Sequence, residues 1–184
     1  MRKVRREEVF DWQTWSDRRA AEQPRVLAAK ELRRVHVAEH LTLLFENAET
    51  VRYQVHEMLR VERIVREADV RHEIDTYNEL IGGEGELGCT LLVEIDDPAV
   101  RADKLALWVD LPDRLYLRMP GGALVRPRTD ERQRSSGKLS TVQYLTFAVG
   151  REAPLAAGCD HPEQRGETEL RPEQRAALAE DLAS

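Results

Sequence analysis

The sequence predicts an α+β fold, an antiparallel or mixed sheet of roughly five strands with helices packed mainly on one face. Two observations carry this expectation. Between Arg33 and Arg66 the apolar period switches from two to about 3.6, so a pair of short strands feeds an amphipathic helix. Farther on, runs alternating at period two around Cys89 and Leu145 supply more strands, and no internal repeat breaks the chain into solenoid units. At 184 residues a single domain over 1–184 is expected. It divides into N-terminal helices (7–34), a sheet and helix core (35–149) and a C-terminal loop and helix (150–184).

Taken in order, a first helix is expected from Glu7 to about Ala21, with Val9, Phe10, Trp12 and Trp15 as its apolar surface. Pro24 interrupts it, and Arg25 to Arg34 reads as a second helix. Arg33 and Arg34 suit the negative end of a helix dipole and are weak evidence for an anion site. Val35 and Val37, then Leu41, Leu43 and Phe45, form a hairpin around Ala38-Glu39. Asn47 caps the following helix, whose stripe is Val51, Val55, Met58, Leu59 and Val65. Val70 to Asp75 begins a strand, and GGEGELG is a flexible acidic connection that fits neither a phosphate loop nor a dinucleotide fingerprint. Cys89, Leu91, Val93 and Ile95 alternate as a strand whose second face, with Thr90 and Leu92, is also partly covered.

Asp96-Asp97-Pro98 starts a helix that stops near Leu111-Pro112. Arg114 to Met119 is a strand, Pro120-Gly121-Gly122 a turn, and Ala123 to Arg126 its returning partner. The basic run RPRTDERQRSSGK from Arg126 reads as a solvated loop. Leu139 to Val149 is the longest strand, with Leu145, Phe147 and Val149 on one side and Val142 and Tyr144 on the other. The Gly, Pro and Ala content of 150–169 reads as loop, and Pro172 opens a final helix through Leu182. That helix can pack on the sheet or on another subunit, which leaves a homo-oligomer open.

Composition narrows the function classes. The formal net charge of −6 argues against general nucleic-acid binding, which needs a positive field. No apolar run is long enough to span a bilayer and MRKVRREEVF lacks a signal-peptide core, so a cytoplasmic location is expected. Cys89 and Cys159 stand far apart with no CxxC, which fits free thiols in a reducing compartment. The charge is segmented: residues 1–34 carry ten bases and six acids (+4), 67–97 ten acids and one base (−9), 113–138 seven bases and three acids (+4). Acidic and basic segments are expected to lie together and partly cancel, with a partner-facing acidic patch as the alternative.

Several residues could carry chemistry. His36 and His40 are four apart, a metal-ligand spacing on a helix, but on a strand four residues span roughly 13 Å and the pair is instead two hairpin histidines. Tyr53, Glu57 and Arg60 share one side of a helix with Gln54 nearby, a carboxylate and phenol that act as ligand or base if buried and as a solvated salt-bridge face if not. Glu46 at one strand end, and Asp75, Tyr77 and Asn78 at another, converge on that side if the fold brings them together. Cys159-Asp160-His161 reads first as a turn fixed by Asp160. The sequence specifies no cofactor or metal, and no nucleophile-elbow context surrounds any serine.

RRVHVAEHLTLLFENAETVRYQVHEMLRVERI, followed by DTYNELI, ELGCTLLVEI, STVQYLTF, DHPEQRGETEL and AALAEDL, resembles the bacterial domain of unknown function 3501 family over nearly the whole chain. The resemblance matches the polar residues Glu46, Asn47, Arg52, Tyr53, Gln54, Glu57, Arg60, Tyr77, Asn78, Asp160 and His161. Gly82 departs from an expected proline and Gln164 from an expected tyrosine. The family has no established activity, but the resemblance implies a genomic setting beside a rubrerythrin-like protein and an iron-sulfur protein. Three readings follow: an accessory protein docking on such a partner in peroxide defence or electron transfer; a metal-dependent or redox enzyme gathering Glu46, Tyr53, Glu57 and His161; and a small-anion binder using Arg52 and Arg60. The enzyme reading requires its residues to line one pocket.

Overall fold

The computed structural model describes residues 1–129 and 137–184, and the middle of the basic run from Arg126 lies outside them. Five α-helices and nine strands are described: α1 (Trp12–Glu31), β1 (Arg34–Ala38), β2 (Leu41–Phe45), α2 (Ala48–Glu62), α3 (Glu67–Asn78), β3 (Glu86–Val93), α4 (Pro98–Leu107), β4 (Leu115–Arg118), β5 (Leu124–Val125), β6 (Arg128–Thr129), β7 (Val142–Ala148), β8 (Ala156–His161), β9 (Gln164–Glu169) and α5 (Pro172–Ala183). The class is α+β. No helix among the described residues is long and apolar enough to cross a membrane.

A five-stranded sheet runs in the order β1-β2-β3-β7-β6 and a second, four-stranded sheet in the order β5-β4-β8-β9. Every described pairing is antiparallel. The main core lies between the sheets: Leu41, Leu43 and Phe45 of β2, Leu87, Cys89 and Leu91 of β3, and Leu145 and Phe147 of β7 meet Leu115 and Leu117 of β4 and Ala157 and Cys159 of β8. Trp108 after α4 and Leu178 of α5 complete it. The opposite face of the first sheet carries α2 and α3, whose own apolar cluster joins Val51, Val55 and Leu59 to Val70, Ile74 and Ile81.

The caps form as expected. Asn47 Oδ1 accepts from the backbone N–H groups of Glu49 and Thr50, both at 3.0 Å, and Asp97 Oδ1 accepts from Ala99 and Val100 at 2.8 and 3.0 Å. His36 and His40 fall on the β1–β2 hairpin, with Val35 opposite Leu43 and Thr42 opposite His36. The charge segments also meet: Arg6 pairs with Glu67 at 3.0 Å and Arg128 with Glu86 at 2.7 Å, so basic and acidic stretches neutralise each other.

Four expectations are corrected. α1 begins at Trp12, capped by Asp11, and continues through Pro24 to Glu31 as one helix. Its two halves stay aligned because Trp15 and Val26, on either side of the proline, pack in one cluster with Tyr53 of α2. Residues 70–75 are not a strand but the middle of α3, where Val70 and Ile74, four apart, bury one helical stripe. Arg128 and Thr129, expected in a loop, pair with Thr146 and Leu145 as an edge strand. Most consequential, 150–169 is not a loop: β8 and β9 form a hairpin with His161 opposite Gln164, and this hairpin makes the second sheet possible. Its glycines disguise it. A Cβ on Gly158 would stand 2.2 Å from the Tyr116 ring and one on Gly166 2.2 Å from the Val37 carbonyl oxygen, so both strands require glycine for close approach.

Candidate functional site

Strand alternation leaves Leu44, Glu46, Thr90, Leu92, Val142 and Tyr144 on the helix-facing side of the first sheet. There the helices do not close completely. A cleft of 330 Å³ remains, bounded by those residues, by Lys30 and Arg34 at the α1–β1 junction, by Thr50, Val51 and Gln54 of α2, and by Tyr77 and Leu80 at the end of α3. The wall beside it is tight: a Cβ on Gly88 of β3 would come 1.8 Å from the Leu80 carbonyl oxygen.

Glu46 is the buried charge of the cleft, 7% exposed. Its Oε1 accepts from Thr90 Oγ1 at 2.7 Å and its Oε2 from Thr50 Oγ1 at 2.5 Å, so two hydroxyls fix the carboxylate from β3 and α2. Across the cleft the Tyr77 phenol is hydrogen-bonded to Gln54, and burial raises its pKa above the usual phenol value. Lys30 is half-buried with its ammonium 5.1 Å from the centre of the Tyr53 ring. Burial lowers its pKa; Glu46 opposes that and Arg34 adds to it. Among the described residues no oxygen accepts a hydrogen bond from the Lys30 amine or the Arg34 guanidinium. The cleft therefore combines two cations without direct acceptors, a pinned carboxylate, a phenol and amide, and an apolar lining from Leu44, Val51, Leu92 and Val142.

The other side of α2 is chemically complete. Glu57 Oε1 accepts from Trp15 Nε1 at 2.8 Å and from Arg19 Nε at 2.9 Å, while Oε2 accepts from Arg60 at 3.1 Å. Burial pushes the Glu57 pKa up, but these donors outweigh it and hold it at about 2. His56 lies between Phe10 and Trp15, stacked on both, and its Nε2 accepts from the Phe10 backbone N–H at 2.9 Å. Burial, with Arg52 contributing, lowers its pKa to about 4. Tyr53 packs edge-on against Trp15. Tyr53, Glu57 and Arg60 thus fasten α1 to α2.

The remaining candidates scatter. Asn78 clasps the N-terminal segment, accepting from Val4 N at 2.8 Å and donating to Val4 O at 2.9 Å. Asp75 is exposed. Arg52 borders a separate recess of 440 Å³ with Arg25, Arg33 and Asn47, where Arg25 pairs with Glu49 at 2.8 Å and Arg33 forms a buried two-pronged bridge to Asp181 at 2.7 and 2.9 Å. Arg52 and Arg60 stand two helical turns apart, about 12 Å, and Arg60 does not border that recess. His161 belongs to the second sheet, edge-on to Trp108, with Nδ1 accepting from Glu163 N at 3.2 Å. Asp160 does not fix a local turn; its Oδ2 accepts from Arg126 at 2.5 Å, and that contact holds its pKa low. Among the described residues no group of three or more His, Cys, Asp and Glu side chains could hold a metal ion. Glu46, Tyr53, Glu57 and His161 do not line one pocket.

Glu46 and Tyr77 do meet, but on the sheet-facing side of α2 rather than beside Tyr53, Glu57 and Arg60, and Tyr77 arrives on a helix. Lys30, Thr50, Thr90 and Tyr144 were not singled out as site residues, and Arg34 was discounted as a cation suited to a helix end. A usable signal existed for Thr90 and Tyr144, which lie on the second faces of strands whose alternation is plain. None existed for Lys30, which reaches the cleft from the last turn of α1, whereas Arg34 opens β1 opposite Leu44.

A search of curated proteins finds no match. A crystal structure described as a novel protein of unknown function from Burkholderia pseudomallei K96243 is similar at 33% identity and a TM-score of 0.90, covering 98% of this chain and 100% of that one. Residues 3–182 match the family model described as protein of unknown function (DUF3501), the match spanning both sheets and all five helices. The chain belongs to the DUF3501 family.

Proposed function

We propose that this protein binds a small organic anion in the cleft between the first sheet and its helices. The observation that carries the reading is the imbalance inside the cleft: among the described residues Lys30 and Arg34 face it without a direct acceptor, while both oxygens of Glu46 are occupied by Thr50 and Thr90. A half-buried cation without an acceptor is costly, and an incoming carboxylate relieves that cost with charge-assisted hydrogen bonds. Leu44, Val51, Leu92 and Val142 would hold a short apolar body, with Gln54 and Tyr77 for a polar far end. The ligand class of the third sequence reading is kept, but its residues change from Arg52 and Arg60 to Lys30 and Arg34. Thermal melts with a panel of short monocarboxylates and dicarboxylates test it. A concentration-dependent rise in Tm that vanishes in Arg34→Met supports the reading; a Tm unmoved by every acid at millimolar concentration ends it.

A second reading is the accessory one, docking on a rubrerythrin-like or iron-sulfur partner in peroxide defence or electron transfer. It rests on the family resemblance and on Val61, in the last turn of α2, and Val65, which lies beyond the helix end rather than on its buried stripe; they stand 65% and 74% exposed. Calorimetric titration of a purified rubrerythrin-like protein into the wild type and into Val61→Glu/Val65→Glu checks it. Heat that is absent, or identical for both proteins, removes it.

A further inference from the structure

Lys30 differs from the other lysines in what surrounds its amine. The chain has four: Lys3, Lys30, Lys104 and Lys138. Lys3 donates to the carbonyl oxygens of Asn78 and Ile81, and Lys104 pairs with Glu163 at 2.5 Å. Lys138 lies in an exposed segment. Only Lys30 lines the cleft with the carboxylate Glu46, the phenol Tyr77 and the neighbouring cation Arg34.

We infer that Lys30 is a carbonyl-reactive amine and that the cleft takes 2-oxo acids, joining them to Lys30 as an imine. The inference rests on the anion-binding reading above and names its ligand class. Arg34 receives the carboxylate, which places the adjacent carbonyl carbon toward Lys30. The neutral amine attacks that carbon: the N–C bond forms, the C=O π pair moves to oxygen, and the nitrogen gives up a proton to Glu46. The carbinolamine oxygen then takes protons from Glu46 and Tyr77 and leaves as water while the nitrogen lone pair forms C=N. A proton from the nitrogen restores Tyr77. The sum is amine plus 2-oxo acid giving imine plus water, with no oxidant or reductant. Burial of Lys30, which favours the neutral amine, supports the first step.

The test uses the full-length protein with pyruvate and with lactate, the matching 2-hydroxy acid that has the carboxylate but no ketone. Each is assayed by thermal shift and by trapping with sodium cyanoborohydride, followed by intact-mass and peptide mapping. The expected result is a Tm rise with both acids and, with pyruvate alone, a single adduct weighing the acid less one oxygen, mapped to Lys30 and suppressed by excess lactate. Lys30→Arg should lose the adduct while still unfolding cooperatively in the same melt. A Tm rise with both acids but no adduct overturns the inference and leaves anion binding standing. An adduct spread evenly over the four lysines, or persisting in Lys30→Arg, also overturns it. No shift and no adduct with either acid overturns both.

Discussion

The two sides of α2 hold nearly the same chemistry in opposite states. Toward α1, Glu57, Tyr53 and His56 meet arginines and aromatic rings, and every oxygen of Glu57 has a donor. Toward the sheet, Gln54 and Thr50 meet Glu46, Lys30 and Tyr77 around a space of 330 Å³. Both contain a carboxylate, a phenol and cations. The difference teaches that residue type does not mark a site: where polar groups satisfy each other the cluster is structural, and where cations line a cavity without acceptors the fold has left room for a ligand.

The largest expected effect breaks the closed side. Glu57→Ala strands Trp15 Nε1 and two arginines in a half-buried interface, and should cost about 3 kcal/mol in urea unfolding. Ligand-induced shifts at the cleft should survive in the folded fraction.

Acid titration probes the same side without a mutation. His56 has its folded pKa depressed from 6.5 to about 4, so the unfolded chain binds more protons in that window and stability falls as pH drops through it, by at most about 1.4 kcal/mol per unit. Glu57 has its pKa depressed from 4.5 to about 2; its contribution is present above 4.5 and is lost as pH falls toward 2. His56→Gln, which keeps an acceptor for Phe10 N, should flatten the slope between pH 6.5 and 4 and leave the lower one. A slope unchanged in that variant would assign the upper transition to another group.

On the open side the stability effects shrink and the binding effects take over. Glu46→Gln keeps one carbonyl oxygen for a threonine hydroxyl and should move unfolding by about 1 kcal/mol while altering the ligand-induced Tm shift. Tyr77→Phe should cost about 0.5 kcal/mol, because Gln54 can turn to water at the mouth. Were Tyr77→Phe as destabilising as Glu57→Ala, the cleft would be a packing seam and the contrast between the two sides would collapse.

Local signals made much of the scaffold legible. Period-two runs at 41–45, 89–95 and 145–149 became β2, β3 and β7, because alternation commits one face to the core. Asn47 and Asp97 cap helices where the sequence placed them, since capping needs only four consecutive residues. The hairpin reading of His36 and His40 held for the same reason. By contrast β8 and β9 were hidden, because Gly158 and Gly166 serve contacts with Tyr116 and Val37 that are 42 and 129 residues away, and a local window reads such glycines as loop.

The sequence by itself therefore determined the α+β class, the central hairpin, the capped helices and the family. Tertiary structure alone decided that 156–169 would complete a second sheet, that Pro24 would sit inside one continuous helix, and that Glu46 would share a cleft with Tyr77, Lys30 and Arg34 rather than with Glu57. The physical reason is range. Caps and alternation act over a few residues, whereas the cleft joins Lys30 at the end of α1 and Arg34 at the start of β1 to Glu46, Gln54, Tyr77 and Thr90, which only the packing of α2, α3 and β3 brings together.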